Sequence, residues 1–339
     1  MKTSDFDYDL PAEYIAQNPV EPRDCSKLMV YYKGSDEIVH AQFRDLPQFL
    51  NKDDLLVINE TRVIAARLMG KKESGGKVEL LLIKKEAPSV WEVLVKGKHL
   101  VPGKNIIIEE GLSAQVIDSL DGTRRLIQFS SPIENYIDKI GHVPLPPYIH
   151  STLSNPNRYQ TIYAKEDGSA AAPTAGLHFT RELLDELSDH GVGLARVILH
   201  VGLDTFSPVR EEDAVNHKMH SEWCSVPIET IEMIKAARQR GSRIIAVGTT
   251  TVRALESAAN HAENGRLIEP FSGNTDLFIK PGYQFKVVDA MITNFHLPRS
   301  TLIMMVSAFV GREKILQLYE IAKKEKYRFY SFGDAMLLI

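Results

Sequence analysis

The alternation of apolar and polar positions changes character twice along the chain. LLVINET, from Leu55 to Thr61, is a short continuous apolar run with polar residues on either side, the pattern of a buried strand. Between about Ala66 and Ile140 come six short β-rich runs, AARLMGKK, GGKVELLLIKK, VWEVLVKG, KNIIIEEG, LSAQVIDSL and TRRLIQFSS, separated by Gly, Pro, Asp and Lys. Such spacing predicts a small barrel or sandwich. GHVPLPPYI, with prolines at 144, 146 and 147, closes the block as a stiff extended connector. Beyond Tyr148 helical and strand patterns alternate. RELLDELSDH reads as a helix capped by Thr180 and ended at Gly191, and LARVILHVG as the buried strand that follows. IETIEMIKAARQR, ended by Gly241, and RIIAVG repeat the unit, and GTTTVRALESAANHAENG adds a turn, a helix and a stop. This alternation predicts an α/β fold of βαβ units, a mainly parallel sheet or partial barrel with its ligand site at the carboxyl ends of the strands. The expected division is a main α/β domain of residues 1–65 and 148–339 with an all-β domain, 66–147, inserted in it.

The densest mixture of chemistries lies in DAMITNFHLPRSTLIMMVSAF, Asp289 to Phe309. Its apolar run, Leu302 to Val310, is nine residues long. That is far short of the roughly 20 needed to span a bilayer, so it predicts a buried helix of a soluble protein. Pro298 stops any preceding helix and Ser300 or Thr301 can cap the next, which places Asn294 and His296 on its entry loop.

Composition narrows the class. A chain of 339 residues has room for two domains, and 44% hydrophobic with 25% charged residues is a globular balance. Forty Lys+Arg against 44 Asp+Glu, net charge −4, exclude gripping nucleic acid by bulk charge and leave room only for a local basic groove. Cys25 and Cys224, far apart, signal neither a disulfide framework nor a zinc finger, and read as free thiols in a reducing compartment. The acidic start MKTSDFDYDLP has no apolar core of a secretory signal, so a cytoplasmic location is expected.

Four more stretches carry candidate chemistry. GSAAAPTAGLHFT puts small residues and His178 just before a helix start, where free backbone N–H groups favour an anion; a tight loop with His178 packed inside fits the pattern equally. LHVGLDTFSPV sets His200, Asp204 and Thr205 at a strand's carboxyl end, suited to a ligand contact or to a core histidine. NHKMHSEW spaces His217, His220 and Glu222 somewhat like metal ligands, but without HExxH or a cysteine pair, so no metal is expected. VGTTTVRALES opens a helix with hydroxyls, and with Arg253 one turn in it can hold a carboxylate or phosphate; a capped helix with Arg253 on its surface is the plainer reading. GxGxxG, GxSxG and P-loop patterns are absent. These residues describe an α/β enzyme with a His/Arg/Asn/Asp-lined site for an anionic small molecule, and leave its reaction open.

DFDYDLPAEYIAQNPVEPRDCSKLMV, VINETRVIAARL, GGKVELLL, GHVPLPPYI, RYQTIYA, AAPTAGLHFT, LHVGLDTF, HKMHSE, IIAVGTTTVRALES, DAMITNFHLPRSTLIMMVSAF and YRFYSFGDAMLL occur in that order from Asp5 to Leu338. Together they closely resemble the S-adenosylmethionine:tRNA ribosyltransferase-isomerase family of queuosine biosynthesis. The resemblance implies a large α/β domain like half a barrel, interrupted by a small β-barrel. It implies transfer and isomerisation of the ribosyl part of S-adenosylmethionine onto 7-aminomethyl-7-deazaguanine at the tRNA wobble position, giving epoxyqueuosine-tRNA, adenine and methionine. S-adenosylmethionine is then a substrate, and no cofactor, metal or membrane is implied.

That chemistry asks for a positioned base of near-neutral pKa beside the sulfonium and an acid near adenine, roles suited to imidazole and carboxylate. His178, His296, Asp289 and Glu222 are the acid–base candidates; Thr249, Thr250 and Arg253 would hold the methionine carboxylate, and Asn294 would orient ribose or base. Lys71, Lys72, Lys84, Lys85, Lys96 and Lys98 make the inserted domain a candidate tRNA surface, or simply a solvated face. A monomer is expected. The alternative from another class is a non-catalytic RNA- or nucleotide-binding protein.

Overall fold

The computed structural model describes residues 1–109, 111–120, 122–151, 153, 155–202, 209–263 and 265–339, with only the backbone at Asp138. The chain forms two compact units: Met1–Arg62 with Pro146–Glu166 and Ala172–Ile339, and Val63–Leu145 with Asp167–Ala171.

The first unit is built on a nine-stranded sheet in the order Phe271–Thr275, Glu222–Val226, Gly193–Leu199, Leu55–Asn59, Ile244–Val247, Ala290–Asn294, Ala335–Leu338, Lys27–Tyr32, Glu37–Gln42. The four strands from Gly193–Leu199 to Ala290–Asn294 run parallel. The outer neighbours are not the mainly parallel sheet expected. Glu222–Val226, Phe271–Thr275 and Glu37–Gln42 pair antiparallel, and Ala335–Leu338 runs against Ala290–Asn294 but along Lys27–Tyr32. Lys27–Tyr32, Glu37–Gln42 and Ala335–Leu338 were not among the strands read from the sequence. The central strands are buried on both faces: every residue of Leu55–Asn59, Ile244–Val247 and Ala290–Asn294 is buried, as crossover helices covering a parallel sheet require.

Helix starts follow their caps. Thr180 Oγ1 accepts the Leu183 N–H at 3.1 Å for the helix Arg181–Asp189, and Ser300 Oγ accepts that of Ile303 at 3.2 Å for Thr301–Val310. Gly191 and Gly241 stand in the left-handed conformation just past the helices that each ends. Gly248 (φ 87°) lets Ile244–Val247 turn at once into the helix Thr249–Asn260.

In the second unit all six β-rich runs are strands. Arg67–Lys72, Lys77–Ala87, Val90–Lys96, Arg124–Phe129, Ser113–Ser119 and Asn105–Ile107 follow one another in space, and pairing of Lys71 with Ile107 and Lys72 with Ile106 closes them into a barrel. Val78, Leu80, Val93, Ile106, Val116 and Ile127 fill its interior. Closure removes the exposed edges of an open sheet. The segment Asp167–Ala171, which no sequence pattern assigned here, joins this unit through Ile64 N–H donating to the Ser169 carbonyl at 3.0 Å. Of the candidate lysines, Lys84 pairs with Glu86 at 2.7 Å, Lys85 with Glu134, and Lys72 donates to the Lys98 carbonyl. Part of that basic character is therefore neutralised locally. Among the described residues no helix is long and apolar enough to cross a membrane.

Candidate active site

A cleft opens in the first unit where the parallel strands end. Val247 leads into Gly248, Thr249 and Thr250; Asn294 is followed by Phe295 and His296; Leu199 is followed two residues on by Val201; and all of these but Val247 and Leu199 line it. Thr174, Ala175, Tyr148 and Tyr330 complete much of the wall. The carboxyl edge of a parallel sheet is where chain reversals leave a crevice that can take a ligand.

Asn294 is the last residue of its strand, not part of the loop expected to feed the helix, and this fixes its side chain. Its Oδ1 accepts from Thr174 Oγ1 at 2.8 Å, and its Nδ2 donates to His178 Nε2 at 3.2 Å. The imidazole then carries its proton on Nδ1 and donates it to Ser26 Oγ at 2.7 Å. His178 also stacks on Phe43, ring centroids 5.0 Å apart. The result is a hydrogen-bonded row, Ser26–His178–Asn294–Thr174, that ends at the cleft wall.

His296 lines the cleft itself. Its Nε2 lies 2.7 Å from Thr293 Oγ1, its backbone N–H donates to Tyr319 Oη at 2.9 Å, and its carbonyl accepts from Tyr8 Oη. Burial, which disfavours the imidazolium, pulls the His296 pKa down to about 3. His178 falls to about 3 as well, through burial first and then the charges of Arg328 and Arg23. Both rings are thus neutral at physiological pH and not poised near neutrality.

Thr249 and Thr250 open the helix Thr249–Asn260, where free N–H groups favour a negative charge. Asn59, at the end of its own strand, holds Thr250: Asn59 Nδ2 donates to Thr250 Oγ1 at 3.2 Å and to the Leu199 carbonyl at 2.9 Å. Tyr330 faces the cleft with φ 71°, a left-handed conformation that an aromatic residue adopts at a cost. Bonds from Tyr330 N–H to the Phe295 carbonyl, 3.1 Å, and from Gly333 N–H to the Tyr330 carbonyl, 2.9 Å, hold it there.

Three candidates are placed elsewhere. Asp289 precedes the strand at the end remote from the cleft, ion-paired with Arg238 at 2.8 Å and accepting the Ile244 N–H at 2.7 Å. Glu222 and Arg253 form a buried ion pair; Glu222 also accepts the Gly202 N–H at 2.7 Å, and Arg253 donates to the carbonyls of Leu277 and Thr275, both at 3.2 Å. Burial lowers the Arg253 pKa to about 10. The reason Arg253 is not on the surface is that its helix is buried nearly all round, from Thr249 to Ala259. His200 bonds Thr61 Oγ1 at 2.8 Å and stacks on Trp223, while Asp204 and Thr205 lie outside the described residues. His217 pairs with Glu211 at 2.9 Å, and among the described residues no group of three or more His, Cys, Asp or Glu gathers as metal ligands do.

Ser26, Asn59, Thr174, Tyr148 and Tyr330 were missing from the candidates drawn from the sequence. Thr174 stood inside the small-residue segment before His178. The others carry no local pattern that marks them.

The family model of the queuosine biosynthesis protein matches residues 3–338. The chain is 55% identical to S-adenosylmethionine:tRNA ribosyltransferase-isomerase of Acetivibrio thermocellus and 54% identical to that of Symbiobacterium thermophilum, covering all of both chains in each case. It is also similar to the crystal structure of S-adenosylmethionine tRNA ribosyltransferase from Thermotoga maritima, at 40% identity and a TM-score of 0.58, over 99% of this chain and 100% of that one.

Proposed function

We propose, on the premise that this chain belongs to the queuosine biosynthesis protein family and is an enzyme of the S-adenosylmethionine:tRNA ribosyltransferase-isomerase type, the following reaction for its cleft. The ribosyl part of S-adenosylmethionine passes to the aminomethyl group of 7-aminomethyl-7-deazaguanine in the tRNA wobble position. Adenine and methionine leave, and the ribose closes to an epoxycyclopentanediol. The observation that carries this reading is a largely apolar cleft with a few convergent polar groups, Thr249, Thr250, Thr293, Asn294 and His296, at the carboxyl ends of parallel strands.

The sulfonium acidifies the neighbouring 5′ carbon, and a positioned base takes its proton. His296, neutral and facing the cleft, is the proposed proton acceptor; Asn294, oriented from behind by His178 and Thr174, holds ribose or base. Thr249 and Thr250 receive the methionine carboxylate at the helix start, without Arg253, which is paired with Glu222 and does not line the cleft. Asp289 and Glu222 are proposed to hold structure, being committed to Arg238 and Arg253. The sulfonium supplies the activation that a metal would otherwise give, so the reaction is proposed to need no cofactor.

The test is to incubate the protein with S-adenosylmethionine and tRNA bearing the deazaguanine precursor and to follow the products by mass spectrometry. Adenine, free methionine and a heavier nucleoside should appear together. His296→Ala should slow a single turnover of preformed complex by at least about 10²-fold, the scale of a lost general base. Tight binding with no release of adenine would leave the protein a non-catalytic RNA binder.

A further inference from the structure

Behind His178 lies a second, smaller cavity that the proposed reaction does not use. Arg23, Ser26, Arg158, His178, Arg328 and Ser331 line it. Ser331 also lines the cleft, and the Asn294–His178 hydrogen bond joins the two walls. Three guanidinium groups from distant stretches of the chain therefore face one small space beside the row of hydrogen bonds that ends at the cleft.

Their present partners occupy only part of their capacity, since each guanidinium has five donors. Arg23 donates to the carbonyls of Gln160 at 2.7 Å, Asn157 at 3.0 Å and Leu177 at 3.4 Å. Arg158 donates to the Val20 carbonyl at 2.7 Å and pairs with Glu21 at 2.5 Å; Arg328 donates to the Asn18 carbonyl at 3.3 Å and pairs with Asp334 at 3.1 Å. Among the described residues these three cations thus pair with two carboxylates, and Glu21 is 69% exposed and well screened. The Arg23 pKa is lowered to about 10 by burial and then by Arg158, as expected of crowded cations short of a counterion.

We propose that this cavity is an oxyanion subsite of the same active site, taking a carboxylate or phosphate group of a substrate. The planar guanidinium fork matches both shapes. The proposal rests on the ribosyl-transfer reading, in which one substrate brings phosphates and the other a carboxylate, which this cavity would take in place of the helix start at Thr249 and Thr250. An anion placed there would also oppose the two arginine charges that, after burial, keep His178 unprotonated.

Dissociation constants for S-adenosylmethionine and for tRNA, measured on the wild-type protein and on Arg23→Gln and Arg158→Gln, decide the matter. Each substitution should weaken one substrate at least about tenfold, and sulfate should compete with that substrate better than chloride at equal ionic strength. If the anion is the amino-acid carboxylate, decarboxylated S-adenosylmethionine will bind wild type and variants alike. If it is an RNA phosphate, the salt dependence of tRNA affinity will lose about one unit of slope in the variants. Wild-type protein that binds both substrates, with variants that bind them equally well, would overturn the subsite while leaving the functional reading intact. Should the variants lose their fold, as read by circular dichroism, equal effects of sulfate and chloride on wild type would overturn it. Wild-type protein that binds neither substrate would end the functional reading and the subsite together.

Discussion

The strand Ala290–Asn294 has polar groups at both ends, and the two ends live differently. At its start Asp289 is tied to Arg238 and to a backbone N–H of the neighbouring strand. At its finish Asn294 and, just beyond, His296 line a cleft, Asn294 bonded to Thr174 and His178 and His296 to Thr293. Five residues at about 3.3 Å each set the ends roughly 16 Å apart, too far to share one small substrate. Glu222 and Arg253 repeat the first condition, satisfying each other and nearby backbone. A buried charge needs a partner simply to be buried. Residue type alone therefore does not separate chemistry from scaffolding; whether the side chain reaches the cleft wall or is tied into an ion pair away from it does.

The largest effect should come from the most committed pair. Arg253→Ala would strand the Glu222 carboxylate in the interior and should cost about 3–5 kcal/mol in urea unfolding. A double change, Arg253→Met with Glu222→Leu, should recover much of that loss. If instead Arg253→Ala left stability unchanged and selectively weakened S-adenosylmethionine, Arg253 would belong with the cleft groups.

The cleft end has its own signature. His178 and His296, with pKa values held at about 3 against an ordinary 6.5, are neutral when folded, whereas the unfolded chain takes up protons on both as pH falls through about 6.5. The unfolded state then binds more protons, so stability contributed by the two rings is complete above that pH and is lost as pH falls towards 3. The slope is about 1.4 kcal/mol per pH unit for each histidine. Unfolding followed from pH 7 to pH 5 should show this decline, and replacing His296 by Gln should remove about half of it. A flat profile would mean that both rings keep ordinary proton affinity and could be protonated at work.

Much of the architecture was legible because it is written in short-range pattern. Short β-rich runs at regular spacing marked all six barrel strands, and Thr180, Ser300, Gly191 and Gly241 marked helix ends by their backbone needs. Lys27–Tyr32 and Ala335–Leu338 escaped, and their pairing with each other joins the two ends of the chain, Leu28 beside Ala335. The site was legible as residue types but not as partnerships. Ser26 and His178 bond across 152 positions, Thr174 and Asn294 across 120. Helical spacing placed Arg253 one turn in, yet whether that face meets water depends on the sheet beneath it.

The mildest change gives the sharpest reading of the two strand ends. Asp289→Asn keeps an oxygen for the Ile244 N–H but removes the charge opposite Arg238. Both partners of that ion pair are about one-third exposed, 29% and 32%, so the Coulombic gain is screened by solvent. The loss of stability should be no more than about 1 kcal/mol, the usual worth of an exposed pair. Turnover per folded molecule should stay within about twofold of wild type, because the carboxylate sits at the far end of the strand and has no part in the cleft wall. The measurement is a single-turnover rate beside an unfolding curve on the same preparation. A tenfold fall in rate without a matching loss of stability would show that Asp289 acts on the reaction after all, and the contrast between the pinned and the open end would then have to be drawn elsewhere.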